Sequence, residues 1–146
     1  MIDLKRILVV AVCVPSAVLA AEAPKAMKAD GTFGLTAISS VEVCHPDGER
    51  EYLRRLICPA GNHPTFQRTG SLGPRNPVDN LTEAEADKAL AASLGGGELS
   101  PGATDYHIID GYEVICGNSK TIVYIDMYHC NAPLSNEAPQ GFTIEK

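Results

Sequence analysis

Apolar residues are densest between Tyr106 and Tyr128, where they fall into two runs. Tyr106–Cys116 and Thr121–Tyr128 are rich in aromatic and β-branched residues, the types that fill pleated, partly buried surfaces. Between them Gly117-Asn118-Ser119-Lys120 carries a reversal signal, because Asn tolerates positive φ and a flanking Gly eases a tight turn. Asp105–Cys130 is therefore predicted to be a long antiparallel hairpin. With Asn118 and Ser119 as the loop, Cys116 pairs with Thr121, Ile115 with Ile122, Gly111 with Asp126 and His107 with Cys130. Gly111, inside the first strand, marks a bulge or a close backbone approach. In the second strand Ile122, Tyr124, Asp126 and Tyr128 share one face, and Val123, Ile125, Met127 and His129 the other. Both faces are largely apolar, so the strand reads as central and covered on both sides. Tyr124 and Tyr128 are read as core with their hydroxyls near the rim, in preference to a recognition surface.

Upstream the period changes. In Glu49–Ile57, Tyr52, Leu53, Leu56 and Ile57 fall on one side of a helix, with Asp47 as cap, acidic residues in the first turn and Arg54 and Arg55 near the end. Cys44–Cys58 and Cys116–Cys130 share the spacing C-x13-C, which would suit a duplicated hairpin. The apolar residues of the first segment come in adjacent pairs and do not alternate, so the helix is preferred. Thr82–Leu94 is a second helix, with a capping box from Thr82 and Glu85, Gly95 as its stop, and a thin face of Ala86, Ala89, Leu90 and Leu94 that places it at the periphery. Short strands are expected near Val41 and Phe66. Asn62–Asn80 and Gly95–Thr104 read as loops.

The N-terminus is a leader by pattern. Lys5 and Arg6 precede an apolar core, Ile7–Leu19, and Val18-Leu19-Ala20 offers small residues where a signal peptidase cuts. The run is short for a membrane span of roughly 20 residues, and Cys13 lacks the context of a lipid anchor. The predicted organisation is a signal peptide over 1–20, a flexible lead-in over 21–36, a globular domain over 37–130 and a C-terminal tail over 131–146.

The full chain has 146 residues and a formal charge of −6. Without the leader's Asp3, Lys5 and Arg6 the charge becomes −7, which argues against a general affinity for nucleic acid or anionic membrane. With no Trp and three Phe, the core must rest on Ile, Leu, Val and Tyr, braced by disulfides. Once Cys13 is removed with the leader, four of the five cysteines remain: Cys44, Cys58, Cys116 and Cys130. An even number in an exported chain points to two disulfides. A straight hairpin keeps Cys116 and Cys130 roughly 30 Å apart, and a helix of about ten residues separates Cys44 from Cys58, so sequential pairing is disfavoured. The favoured pairs are Cys44–Cys116 and Cys58–Cys130, with Cys44–Cys130 and Cys58–Cys116 as the alternative.

Candidate chemistry is sparse. Gly70-Ser71-Leu72-Gly73 is no nucleophile elbow, since Thr69 stands where Gly is needed, and neither a P-loop nor a metal motif of the C-x2-C or H-E-x-x-H kind occurs. Asn80-Leu81-Thr82 matches a glycosylation acceptor. The polar residues of note are His45, Asp47, Asp105, His107, Asp110, Asp126 and His129. Asp105 and His107, two apart on a strand, share a face and are weak metal-ligand candidates. Asp126, His107 and His129 are weak acid–base candidates, although Asp126 and His129 would face opposite ways on a continuous strand. Paired cysteines are no nucleophiles. A buried Asp126 needs a cationic partner, and Arg54 or Arg55 on the packed helix is predicted to supply it.

The reading is a small single-domain α+β protein, secreted or periplasmic, without a cofactor. Two function classes follow. One is an exported non-enzymatic binding or interaction protein, such as an inhibitor or protective partner of another protein. The alternative is a small hydrolase or metal-dependent enzyme using Asp105, His107 and Asp126, which requires those side chains to converge.

Overall fold

A computed structural model of the chain describes residues 31–95, 99 and 102–146. The predicted leader and the first part of the lead-in lie outside these residues. The elements run β1 (Val41–Glu42), α1 (His45–Arg54), β2 (Leu56–Ile57), β3 (Thr65–Pro74), α2 (Glu83–Gly95), β4 (Ile108–Cys116), β5 (Ser119–Asp126) and β6 (Thr143–Ile144). This is the α+β class expected, with two disulfides. Four strands form one sheet in the order β1-β5-β4-β3, with β1 parallel to β5 and the other pairs antiparallel; β2 and β6 form a small antiparallel pair. Among the described residues no helix is long and apolar enough to cross a membrane.

The predicted hairpin is present, with its register moved by two residues. Cys116 pairs with Ser119, Ile115 with Lys120 and Gly111 with Tyr124, so Gly117 and Asn118 form the loop. Gly117 has φ 60°, which a two-residue type II′ loop demands of its first residue and Gly meets without strain. Gly111 is the close approach its position suggested. A Cβ there would lie 2.6 Å from Leu72 Cδ1, and the ladder between β3 and β4 is irregular just beside it, between Arg68 and Gly70.

The hairpin's second strand stops at Asp126 and does not run to Cys130. The Asp126 side chain is the reason: Oδ1 accepts the N–H of Tyr128, two residues on, and the chain turns away. The strand is internal in its sheet but covered unequally. Val123 and Ile125 are fully buried, whereas Ile122 is 38% exposed on the other face. The buried tyrosines are Tyr52 and Tyr112; Tyr124 and Tyr128 are only half-buried.

The first helix starts earlier and ends earlier than predicted. Pro46 is compatible with its first turn, Cys44 holds the N-cap position, and Asp47 pairs with Arg50 instead of capping. Leu56 and Ile57 leave the helix for β2, yet Tyr52, Leu53 and Leu56 are still fully buried, against Val41, Val43, Tyr112, Val114, Val123 and Ile125. Each such aliphatic side chain removed from water contributes about 1.5–3 kcal/mol. α2 has the predicted link, Thr82 N–H and Oγ1 both reaching Glu85 Oε2. Its inner face is Ala89 and Ser93, while Leu90 is exposed.

Both ends of the described chain are tied in more firmly than the sequence suggested. Phe33 packs on the core, and Gly34 C=O accepts the N–H of Tyr124. The C-terminal stretch carries β6, packs Leu134, Ala138, Phe142 and Ile144 against the core, and receives the Tyr52 hydroxyl at Glu137 O, 2.8 Å away. Arg55 fastens this stretch through Glu145 O at 2.9 Å and Ser135 O at 3.2 Å.

The cross-half disulfide arrangement holds, in the alternative connectivity: Cys44–Cys130 and Cys58–Cys116. The favoured pairs fail because β1 runs parallel to β5 and delivers Cys44 to the end of the sheet where β5 finishes. Helix α1 then carries the chain back about 15 Å, so that Cys58 reaches Cys116 at the hairpin turn.

Candidate functional site

Four strand ends meet where β5 finishes. Arg75 follows the last residue of β3, Asp105 and His107 precede β4, Asp126 closes β5, and Glu42 lies opposite Asp126 on β1. The turn after Asp126 swings His129 back, so it faces the same centre as Asp126 and not the opposite side. Asp105 repeats the device of Asp126: its Oδ1 accepts the N–H of His107, two residues on, at 2.9 Å. Two backbone-linked contacts set the loop from β3 against this segment, Arg75 N–H to His107 O at 2.9 Å and Asn76 Nδ2 to Asp105 O at 2.7 Å.

The resulting cluster is tight. His129 Nε2 is 3.1 Å from Asp105 Oδ2 and 3.0 Å from Asp126 Oδ2. His107 Nδ1 is 2.9 Å from Asp105 Oδ1 and 3.8 Å from Asp126 Oδ1. One nitrogen or oxygen from each of the four side chains lies within 4.8 Å of all the others. Asp126 is fully buried and His107 is 2% exposed, its ring stacked on Tyr128 at 4.6 Å and edge-on to His129 at 5.8 Å. His107 Nδ1 makes no well-aligned hydrogen bond, although Asp105 Oδ1 lies 2.9 Å away.

Arg75 sits at the focus. Its Nη1 is 3.2 Å from Asp105 Oδ2, 3.3 Å from Asp126 Oδ2 and 3.1 Å from His129 Nε2, while Nη2 holds Glu42 at 2.7 Å. Hydrogen bonds to Asp105 and Asp126 push the His129 imidazole up to about 10 against the opposing effect of burial, so it is protonated at neutral pH. Burial alone would raise the Asp105 carboxyl, but hydrogen bonds from His129 and the His107 backbone, with the charge of Arg75, hold it well below the usual carboxylate range. Two cations are thus clasped between carboxylates.

All four principal candidates, Asp105, His107, Asp126 and His129, therefore converge. The cation expected for Asp126 is another residue: Arg55 serves the C-terminal stretch, and Arg75 takes the role assigned to Arg54 or Arg55. Arg75 is the only basic residue between Thr69 and Asp87, a hint available in the sequence but hidden among prolines. Asp110 lies in a separate arrangement, held by Arg68 Nε and Nη2 at 2.6 Å each and by Ser71 at 3.2 Å. Glu49, 1% exposed and bonded by the Tyr112 hydroxyl at 2.7 Å, escaped notice as one more charge in the first turn of a helix. His45 stands apart beside the Cys44–Cys130 disulfide, and Asp47 is on the surface.

The donor set matches a divalent ion. Ligand atoms about 2.0–2.1 Å from a tetrahedral Zn2+ stand about 3.3 Å from one another; one donor atom from each of the four side chains lies within 4.8 Å of the others, so small side-chain shifts would close the set on an ion. The same side chains can also relay a proton: Asp126 and His107 are buried, while His129 is partly exposed and lines a surface hollow with Tyr128 and Cys130. No family model, curated protein or solved structure matches this chain.

Proposed function

We propose that this chain is an exported binding protein whose Asp105, His107, Asp126 and His129 hold a divalent metal ion, with Zn2+ the best-fitting candidate. The observation that carries this reading is His107 Nδ1, a buried nitrogen without an aligned hydrogen bond, aimed at the carboxylates of Asp105 and Asp126. An unmet buried polar atom costs about 1–3 kcal/mol, and a metal bond satisfies it. Arg75 marks the demand for positive charge at the same point, and an ion that takes over that charge requires Nη1 to give up its contacts with Asp105 and Asp126. The His129 proton leaves when the metal enters, so affinity rises with pH.

Binding is preferred over catalysis because a closed donor set suits a held ion, whereas a hydrolytic metal keeps an open position. Export is supported by the leader pattern and by two disulfides, which suit an oxidising compartment.

Titration of the chelator-treated protein with Zn2+, followed by calorimetry and thermal unfolding, tests the reading. One ion per chain, a raised Tm, and at least a tenfold weaker affinity in His107→Ala are expected. Zn2+ binding that is absent, or unchanged in His107→Ala, would reduce the cluster to an ion-pair network that only braces the fold.

A further inference from the structure

A second group of metal-seeking side chains lies outside that cluster. The Cys44–Cys130 disulfide sits at the N-terminus of α1, with Cys130 exposed and Cys44 half-buried. His45 follows directly and has φ 59°, a left-handed conformation uncommon for a residue with a side chain. Its ring lies against the disulfide: Nε2 is 3.7 Å from Cys130 Sγ. One donor atom from each of Cys44, His45 and Cys130 lies within 4.8 Å of the other two. The other disulfide differs on both counts. Cys58 is only 3% exposed, and the hollow beside Cys58–Cys116 is lined by Pro59, Ala60, Asn62, Gly117 and Phe142 among others, with no histidine.

We propose that Cys44, His45 and Cys130 form a redox-gated metal site, closed while the disulfide is intact and able to take Zn2+ or another thiophilic divalent ion once it is reduced. The opening is a two-electron step with a dithiol reductant. One reductant thiolate attacks Cys130 Sγ, the exposed sulfur, and the S–S bond breaks with its electron pair on Cys44 Sγ. The second reductant thiol then displaces Cys130 from the mixed disulfide, and the reductant leaves as its own disulfide. Two thiols remain, and both protons are released when the ion binds two thiolates and the imidazole. The positive end of α1 favours the charge on Cys44. Two sulfurs and one nitrogen suit Zn2+ or Co2+, with the fourth position left to water or another ligand. None of the four donors of the deeper cluster is a ligand here; Cys130 directly follows His129, so the two sites are told apart by sulfur ligation, which the deeper cluster cannot supply.

Co2+ is the probe, because thiolate ligation gives a sulfur-to-cobalt charge-transfer absorption that histidine and carboxylate ligation do not. The full chain is reduced by a dithiol, the dithiol is removed without air, and alkylation with peptide mapping identifies the pair that has opened. We expect Cys44–Cys130 to open first, the absorption to reach one sulfur-ligated Co2+ per reduced chain, counted apart from any Co2+ in the deeper cluster, and to be absent from the oxidised chain, and His45→Ala to weaken this binding at least tenfold. A Cys58→Ser/Cys116→Ser variant retains the absorption after reduction. Opening of Cys58–Cys116 first, absence of the absorption from the reduced chain, or an affinity unmoved by His45→Ala would overturn the proposal. Should the double serine variant fail to fold, partial reduction of the unaltered chain with peptide mapping decides the same point.

Discussion

The two ends of the β4–β5 ladder are built from opposite materials. At the turn end, Gly117 and Asn118 reverse the chain, Cys58–Cys116 sits against a hollow with Pro59 and Phe142, and backbone pairing with disulfide closure does the holding. At the open end the strands stop, and Glu42, Arg75, Asp105, His107, Asp126 and His129 hold four segments together by charge. One end resists change because few ionisable groups line it; the other depends on protonation and on what cation is present. Six ionisable side chains gathered at one end set it apart from the turn end, and that asymmetry supports the metal-binding proposal.

The largest test of the contrast is Asp126→Asn. It leaves Arg75 and His129 short of a buried counter-charge, and we expect a loss of about 3–5 kcal/mol in urea unfolding. A loss under 1 kcal/mol would mean that the open end is not held by charge at all. Replacing Cys58 and Cys116 by Ser should cost about 2–4 kcal/mol. Loop closure predicts nearly the same from Cys44→Ser/Cys130→Ser, because loops spanning 86 and 58 residues differ by only about 0.3 kcal/mol. A much larger loss from the second variant would show that this disulfide also positions His129.

The third test is pH, with chelator present. His129 is raised in the folded chain, so its stabilisation is fully present below about 6.5 and is lost as pH climbs towards about 10. A decline on the order of 3 kcal/mol between pH 6.5 and 9 is expected from a shift of that size. His129→Gln should flatten the profile, whereas the disulfide variant at the turn end should keep it. The smallest effect belongs to Glu49. Burial raises its carboxyl, so its contribution is favourable below 4.5 and disappears as pH rises through the folded value. Glu49→Gln should retain the Tyr112 hydrogen bond and gain up to about 1 kcal/mol at neutral pH; a loss there would show that ionised Glu49 is well paired.

The turn end was largely legible in the sequence and the open end only in part. Alternating Ile and Val gave the hairpin, and paired apolar positions gave the packed helix. The register slipped because two overlapping pairs, Gly117-Asn118 and Asn118-Ser119, both make plausible loops, and only the positive φ at Gly117 separates them. At the open end the candidate residues were recognisable by type, but the alternation rule sent Asp126 and His129 apart. What brought them together was the side chain of Asp126 ending its own strand. The disulfide choice turned on the direction of β1, a strand of two residues that leaves almost no periodic signal. The pairing of the C-terminal stretch has the same cause, since β6 is equally short.

The closing bridges span most of the chain, and that has a consequence for synthesis. Cys44 must wait for a mate 86 residues downstream, about 4–17 s at ~5–20 residues per second. During that interval the nearest thiol downstream of it is Cys58, whose own mate comes 58 residues later. A transient Cys44–Cys58 bridge is therefore the natural early product of oxidation, across the segment that becomes α1. Reaching the native pairing then requires that bridge to be broken again, so yield should depend on disulfide isomerisation more than on the rate of oxidation.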